Sequence, residues 1–210
     1  MRFYAATGAS LLLAGQALAA PLQARDDVKT SAQIVAEIAP LSASCANTDE
    51  CRTAEQAGPL LAQAMNQYGL SSAGQIAAVL ALTAYESLEY QNKINLSKNP
   101  GQGTSNMQQF PSNLKYAQSI EELKGHVAGV TEATATDDKK NEILHLVIDD
   151  KYNFGSGPWY LTTQCKPDVV EGLKSASDES FLAYMACVGI QDVNPKRLGY
   201  WTAAKKAFNL

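Results

Sequence analysis

The chain has 210 residues, with 17 Lys and Arg against 21 Asp and Glu, a net charge of −4, and 46% hydrophobic residues. Such a mildly acidic chain lacks the cationic surface that draws proteins to nucleic acid or to anionic membranes. The first nineteen residues read as a secretory signal. Arg2 gives the positive end, "LLLAG" the apolar middle and Ala17 to Ala19 the small-residue cleavage site. That apolar run is too short for a transmembrane span, and no later segment is long enough. Removing the leader takes away Arg2, so the net charge moves from −4 to about −5. Residues 20–25, "APLQAR", read as a short propeptide, and residues 26–210 are expected to form one domain with a sizeable core. The mature chain is expected to be secreted and monomeric.

Helix signals then recur in chain order. A first helix is expected over about Val28 to Ala39, ended by Pro40. Thr53 begins "TAEQ", a capping-box pattern, and Pro59 suits the first turn of a helix ending at Gly69. Ser71 or Ser72 caps "AGQIAAVLALTAYESLEY", which is apolar on most sides and therefore central. From Asn92 to Pro111 the Pro, Gly, Asn and Ser content predicts a long ordered loop. Short helices are expected after Ser112 and from the "SIEE" capping box at Ser119 to Glu122. Asp137 or Asp138 caps a helix ending near Tyr152, where "NFGSGPWY" breaks it. Asp168 to Ser175, Asp178 to Val188 and Pro195 to Phe208 complete an all-α chain, with Asn194 as the last N-cap.

The four cysteines, in an oxidising compartment, predict disulfides rather than a metal site, since no CxxC pair occurs and neither histidine lies near a cysteine. Of three connectivities, Cys45–Cys51 with Cys165–Cys187 is the local one, each bridge stapling one loop. Asn95-Leu96-Ser97 is an N-glycosylation acceptor. No cofactor is expected.

Three stretches carry chemistry. Glu86-Ser87 lies near the C-terminal end of the apolar helix, where burial and the helix dipole both disfavour a charged carboxylate, as a general acid requires. "GQGTSNMQ", Gly101 to Gln108, has glycines that let backbone approach a ligand or take positive φ, and Gln108 offers an amide to a sugar hydroxyl or acetamide. "YNFG" brings Tyr152 and Asn153, with Trp159 and Tyr160 adding aromatic surface of the kind sugars stack on. Candidates for a second carboxylate are Glu89, one helical turn on from Glu86 and on the same face, and Asp149 or Asp150 just before that motif.

In this order, the three stretches resemble the lysozyme-like superfamily, especially the lytic transglycosylases and goose-type lysozymes of glycoside hydrolase family 23 type. There a helix delivers Glu-Ser, a glycine loop ends in Met-Gln, and Tyr-Asn-x-Gly follows. Here these are Glu86-Ser87, Gly101 to Met107-Gln108, and Tyr152 to Gly155, over about Gln75 to Tyr160. The family tends to have a glycine and a leucine ahead of Met-Gln where this chain has "GTSN". The leader and propeptide-like stretch have a fungal look.

The resemblance implies a disulfide-stapled lysozyme-like domain with Glu86 as catalytic acid. It implies Ser87, Gly103, Met107, Gln108, Tyr152, Asn153 and Trp159 as substrate-binding residues. The implied partner is a cell-wall polysaccharide: peptidoglycan first, by hydrolysis or by anhydro-forming lysis, with no nucleic acid or membrane partner. Two alternatives stand beside this. One is a chitinase- or chitosanase-type enzyme. The other is a secreted lysozyme-like protein that binds a glycan without cleaving it.

Overall fold

The computed structural model describes residues 28–46 and 49–210. The expected leader and propeptide lie outside the described residues. Among those residues the chain is helical, with no strand and only two isolated bridges, Ile94 with Gly103 and Gly103 with Gln108.

Local hydrogen bonding sets most helix starts. Thr30 and Gln33 form a capping box for α1 (Ser31–Ile38), and Pro40 opens a 3-10 turn beyond it. Thr53 and Gln56 do the same for α2 (Ala54–Gln67). Pro59 is inside α2 rather than in its first turn. It sits on the exposed side of the helix, away from the core. Ser72 and Gln75 cap α3 (Ala73–Glu86), of which ten residues are buried, so α3 is the central helix.

Three expectations in the middle of the chain need correction. Helix α4 (Phe110–Ser119) begins before Pro111, at the favoured place for a proline, rather than after Ser112. Ser119 ends α4 instead of capping a new helix, because its hydroxyl donates to the Tyr116 carbonyl at 2.7 Å. Thr136, not Asp137, caps α5 (Asp137–Val147). After the short α6 (Asp150–Asn153), the "NFGSGPWY" stretch interrupts the helix for only two residues and resumes as α7 (Ser156–Gln164). The chain closes with α8 (Pro167–Gly172), α9 (Asp178–Cys187) and α10 (Pro195–Ala207), the last capped by Asn194.

Two hydrophobic clusters result. One joins α1, α2, α3, α9 and α10 around Val35, Leu61, Leu80, Phe181 and Trp201, with Phe181 and Trp201 stacked at 4.7 Å. The other joins α4, α5 and α7 around Phe110, Tyr116, Ile143, Val147 and Trp159. Tyr160 packs against both. Both expected disulfides, Cys45–Cys51 and Cys165–Cys187, are present.

Candidate functional site

The central helix stops at Glu86 for a local reason. The Ser87 hydroxyl donates to the Thr83 carbonyl at 2.7 Å and accepts from the Tyr90 amide at 2.8 Å. Leu88, Glu89 and Tyr90 then all take left-handed backbone, with φ of 51°, 61° and 64°. Each such residue costs roughly 1–2 kcal/mol, so this turn must be held from elsewhere. Glu89 does much of the holding. It is 7% exposed and accepts from the Leu41 amide and the Tyr200 hydroxyl, both at 2.6 Å. Tyr90, also buried, pairs its hydroxyl with Thr83 at 3.1 Å.

Beyond the turn, the 92–108 loop folds back on itself. Thr104 N donates to the Lys93 carbonyl and Gly103 N to the Gln108 carbonyl. At Gly103 an added Cβ would stand 2.4 Å from the Lys93 carbonyl oxygen, so glycine is needed for backbone-to-backbone approach. Gly101 instead takes positive φ, 75°. The loop is fastened by amides and hydroxyls. Gln108 donates to Asn113 Oδ1 at 2.7 Å and accepts from Asn106 at 3.2 Å. Asn106 Oδ1 in turn lies 2.7 Å from Ser156 Oγ, at the start of α7.

These elements enclose a cleft of about 440 Å³. Its floor holds Glu86 and Leu82. Gln102, Asn106, Met107, Gln108, Gln109 and Ser112 form one wall; Tyr160 and the 188–190 turn form the other. A second depression of about 240 Å³ adjoins it through Glu86, Gln102 and Met107, and reaches Asn95 and Lys196. A third, of about 390 Å³, continues the other way past Gln102, Gln109 and Pro111 to Glu132 and Lys140. Together they make one groove with Glu86 where two of its parts meet. Among the described residues Glu86 is the only carboxylate lining the central cleft.

Glu86 is 21% exposed and is not solitary. Arg197 Nη1 lies 2.7 Å from its Oε1, and the guanidinium carbon stands 3.9 Å from the Tyr85 ring centre. Arg197 is 7% exposed. Its Nε and Nη1 make no aligned hydrogen bond among the described residues, so the contact with Glu86 is a charge pair set off the hydrogen-bond axis. The Tyr184 hydroxyl is likewise buried without a partner. Burial first, then Tyr160 and the Glu86 charge, push that phenol far above its ordinary range.

Of the residues anticipated at the site, Glu86, Met107 and Gln108 converge on the cleft. Gln108 has part of its amide committed to Asn113 and Asn106, leaving one donor and one lone pair. The others stand elsewhere. Ser87 is a buried helix cap, and Gly103 is packed against the Lys93 carbonyl and the Leu144 side chain. The Tyr152 hydroxyl donates to Glu122 on the exposed surface. Asn153 is buried, its carbonyl accepting from Ser105 at 3.0 Å. Trp159 is packed in the core against Tyr116 and cannot stack on a ligand; its neighbour Tyr160 faces the cleft.

None of the second-carboxylate candidates lines the groove. Glu89 is carried by the left-handed turn to the Leu41 amide and the Tyr200 hydroxyl. Asp149 caps α6 through the Lys151 amide at 2.9 Å. Asp150 pairs with Arg52 at 2.6 Å and Lys93 at 2.5 Å. Burial would raise the Asp150 carboxyl, but the hydrogen bonds from Arg52 and Lys93 outweigh it and hold the group below the usual carboxylate range. Sequence reasoning missed Gln102, Asn106, Gln109 and Ser112, although all lie within or beside the glycine loop it singled out. It also missed Arg197, which no local pattern marks.

No helix of the described residues is long and apolar enough to cross a membrane, and no group of three His, Cys, Asp or Glu side chains among them could hold a metal ion. No family profile matches the chain, and no solved structure matches it. A protein of Fusarium oxysporum (strain Fo5176), named bifunctional dioxygenase (DOX)-epoxy alcohol synthase (EAS), is 45% identical over 158 residues. The aligned region is 74% of this chain but only 12% of that protein, so the chain spans a small fraction of its relative's length.

Proposed function

We propose that the protein is a secreted, lysozyme-like glycosidase acting on β-1,4-linked N-acetylhexosamine polymers, with peptidoglycan as first choice and Glu86 as general acid. One observation carries the reading: a single carboxyl, Glu86, stands at the junction of two parts of a long groove whose wall is built from amides. Gln102, Asn106, Gln108 and Gln109 suit hydroxyl and acetamido groups, and Tyr160 suits a pyranose face. The two disulfides fit export. The dioxygenase and epoxy alcohol synthase names belong to a relative of which the aligned segment is 12%, and they lend no substrate to this groove.

In this mechanism Glu86 gives its proton to the glycosidic oxygen as the C1–O bond breaks through an oxocarbenium-like state. Because Glu89, Asp149 and Asp150 are engaged elsewhere, the second role falls to the substrate's own acetamido oxygen, which closes on C1. Water or the sugar's own 6-hydroxyl then attacks C1, the C1 bond to the acetamido oxygen breaks to restore the acetamide, and the attacking hydroxyl gives its proton to Glu86. The first route makes a muramidase, the second a lytic transglycosylase.

A chitosanase is the less favoured version. A polycationic glycan calls for rows of carboxylates, and among the described residues the groove is lined by Glu86 at its centre and Glu132 at one end. The Arg197–Glu86 charge pair favours a second reading, a glycan-binding protein in which the acid is locked and no bond is cleaved. The test is a panel of peptidoglycan, N-acetylated chitin oligomers and chitosan, each scored for binding and for new chain ends. The proposal expects cleavage of the N-acetylated polymers. Binding to all with cleavage of none would leave the binding-protein reading.

A further inference from the structure

Arg197 comes to the back of Glu86 from α10, at the far end of the chain, and several contacts fix it there. Asn194 accepts from the Arg197 amide at 2.9 Å and donates its side-chain NH2 to the Tyr85 hydroxyl at 2.9 Å. Tyr85 presents its ring to the guanidinium at 3.9 Å. Nη1 then meets Oε1 of Glu86 at 2.7 Å. Arg197 is 7% exposed and lines no part of the groove, so it touches the cleft only through Glu86. The ion pair is made through Oε1 of Glu86, not Oε2.

We propose that Arg197 is a positioning residue: it clamps Oε1 of Glu86 so that Oε2 is the oxygen that carries the proton into the groove. The inference rests on the reading of Glu86 as general acid. A carboxyl protonated on Oε2 keeps the partial negative charge of Oε1 facing Arg197, so one charge contact serves both the acid and the carboxylate left after proton transfer. Without the clamp the terminal torsion of a glutamate is broad, and the proton-bearing oxygen is no longer defined. Arginine suits the task because its planar head stacks on Tyr85 while holding its charge against Oε1 of the carboxyl. Lysine can supply the charge but neither the plane nor the stack.

Four variants test this: Glu86→Gln, Arg197→Met, Arg197→Lys and Tyr85→Leu, each assayed for Glu86-dependent glycan cleavage and for thermal unfolding. A misplaced catalytic group costs on the order of 10²-fold, so Arg197→Met is expected to lower kcat by about 10- to 100-fold. KM should stay within about twofold, because Arg197 lies outside the groove wall. Arg197→Lys should recover part of kcat, and Tyr85→Leu, which keeps the Arg197 charge but removes the stack, the Asn194 bond and part of the second depression's lining, should also lower kcat, any loss of groove contact being read separately in KM. A folded Arg197→Met protein with wild-type kcat would overturn the inference, as would a rise in KM at constant kcat. If Arg197→Met does not fold, wild-type kcat in both Arg197→Lys and Tyr85→Leu would overturn it equally. Turnover persisting in Glu86→Gln would sink the glycosidase reading itself. Silence there, with wild-type kcat in the Arg197 variants, would sink the positioning role alone.

Discussion

Replacing Glu89 by alanine separates a structural carboxylate from a catalytic one. Glu89 is 7% exposed and accepts from the Leu41 amide and the Tyr200 hydroxyl, each at 2.6 Å. A hydrogen bond to a charged group contributes about 1.5–3 kcal/mol, and a buried donor left bare adds its desolvation cost. The two bonds together put Glu89→Ala at about 3–5 kcal/mol of lost stability. Alanine also keeps the strained φ of 61°, so no strain is relieved. For a domain of this size the loss corresponds to a fall in Tm of about 6–20 °C. Tyr200→Phe removes one of the two bonds and should cost about half as much. The assay is urea unfolding by circular dichroism, beside glycan cleavage measured well below the new Tm. Folded Glu89→Ala should retain kcat within a few-fold. A stability change under about 1 kcal/mol together with lost turnover would refute the reasoning and return Glu89 to the catalytic pair.

Other perturbations follow from the same contacts. Chain-entropy reasoning gives about 3 kcal/mol for losing Cys165–Cys187, which spans 22 residues, and about 2 kcal/mol for Cys45–Cys51, which spans 6. Paired Cys→Ser variants compared by urea unfolding should therefore rank in that order. Gly103→Ala forces a Cβ to within 2.4 Å of the Lys93 carbonyl and should cost about 1–3 kcal/mol while distorting the groove wall, read as a rise in KM. Asp150 has its folded-state carboxyl lowered, so its contribution is present above the unfolded carboxyl's range and is lost as pH falls through the folded one. Wild type should thus lose more stability on acidification from pH 7 to about pH 3 than Asp150→Asn does; equal losses would contradict the assignment.

Where a fold feature depends on a few neighbouring residues, the sequence was readable. The capping boxes at Thr53–Gln56 and Ser72–Gln75 and the Asn194-Pro195 helix start stand where local hydrogen bonding puts them. Both disulfides join cysteines close along the chain. The same kind of signal failed at Ser119, where the preceding helix already claimed the side chain. Glu89 misled because i+3 geometry holds only while a helix continues. Three consecutive left-handed residues end it, none of them the glycine or asparagine that would announce such a turn. Trp159 and Tyr160 exchanged their expected importance because their facing depends on the register of α7, in a stretch that reads as a helix breaker. Arg197 needed the packing of α10 on α3, which no local pattern specifies.

The central claim is that Glu86 delivers the proton that breaks a glycosidic bond. It is tested most directly by incubating wild type and Glu86→Gln with purified peptidoglycan and reading fragment ends by mass spectrometry. General acid catalysis contributes about 10²- to 10⁴-fold, so the variant should release fragments slower by that factor while still binding the polymer. An anhydro end on the wild-type fragments identifies a lytic transglycosylase, and a reducing end a muramidase. Fragments released at equal rates by both proteins would contradict the account.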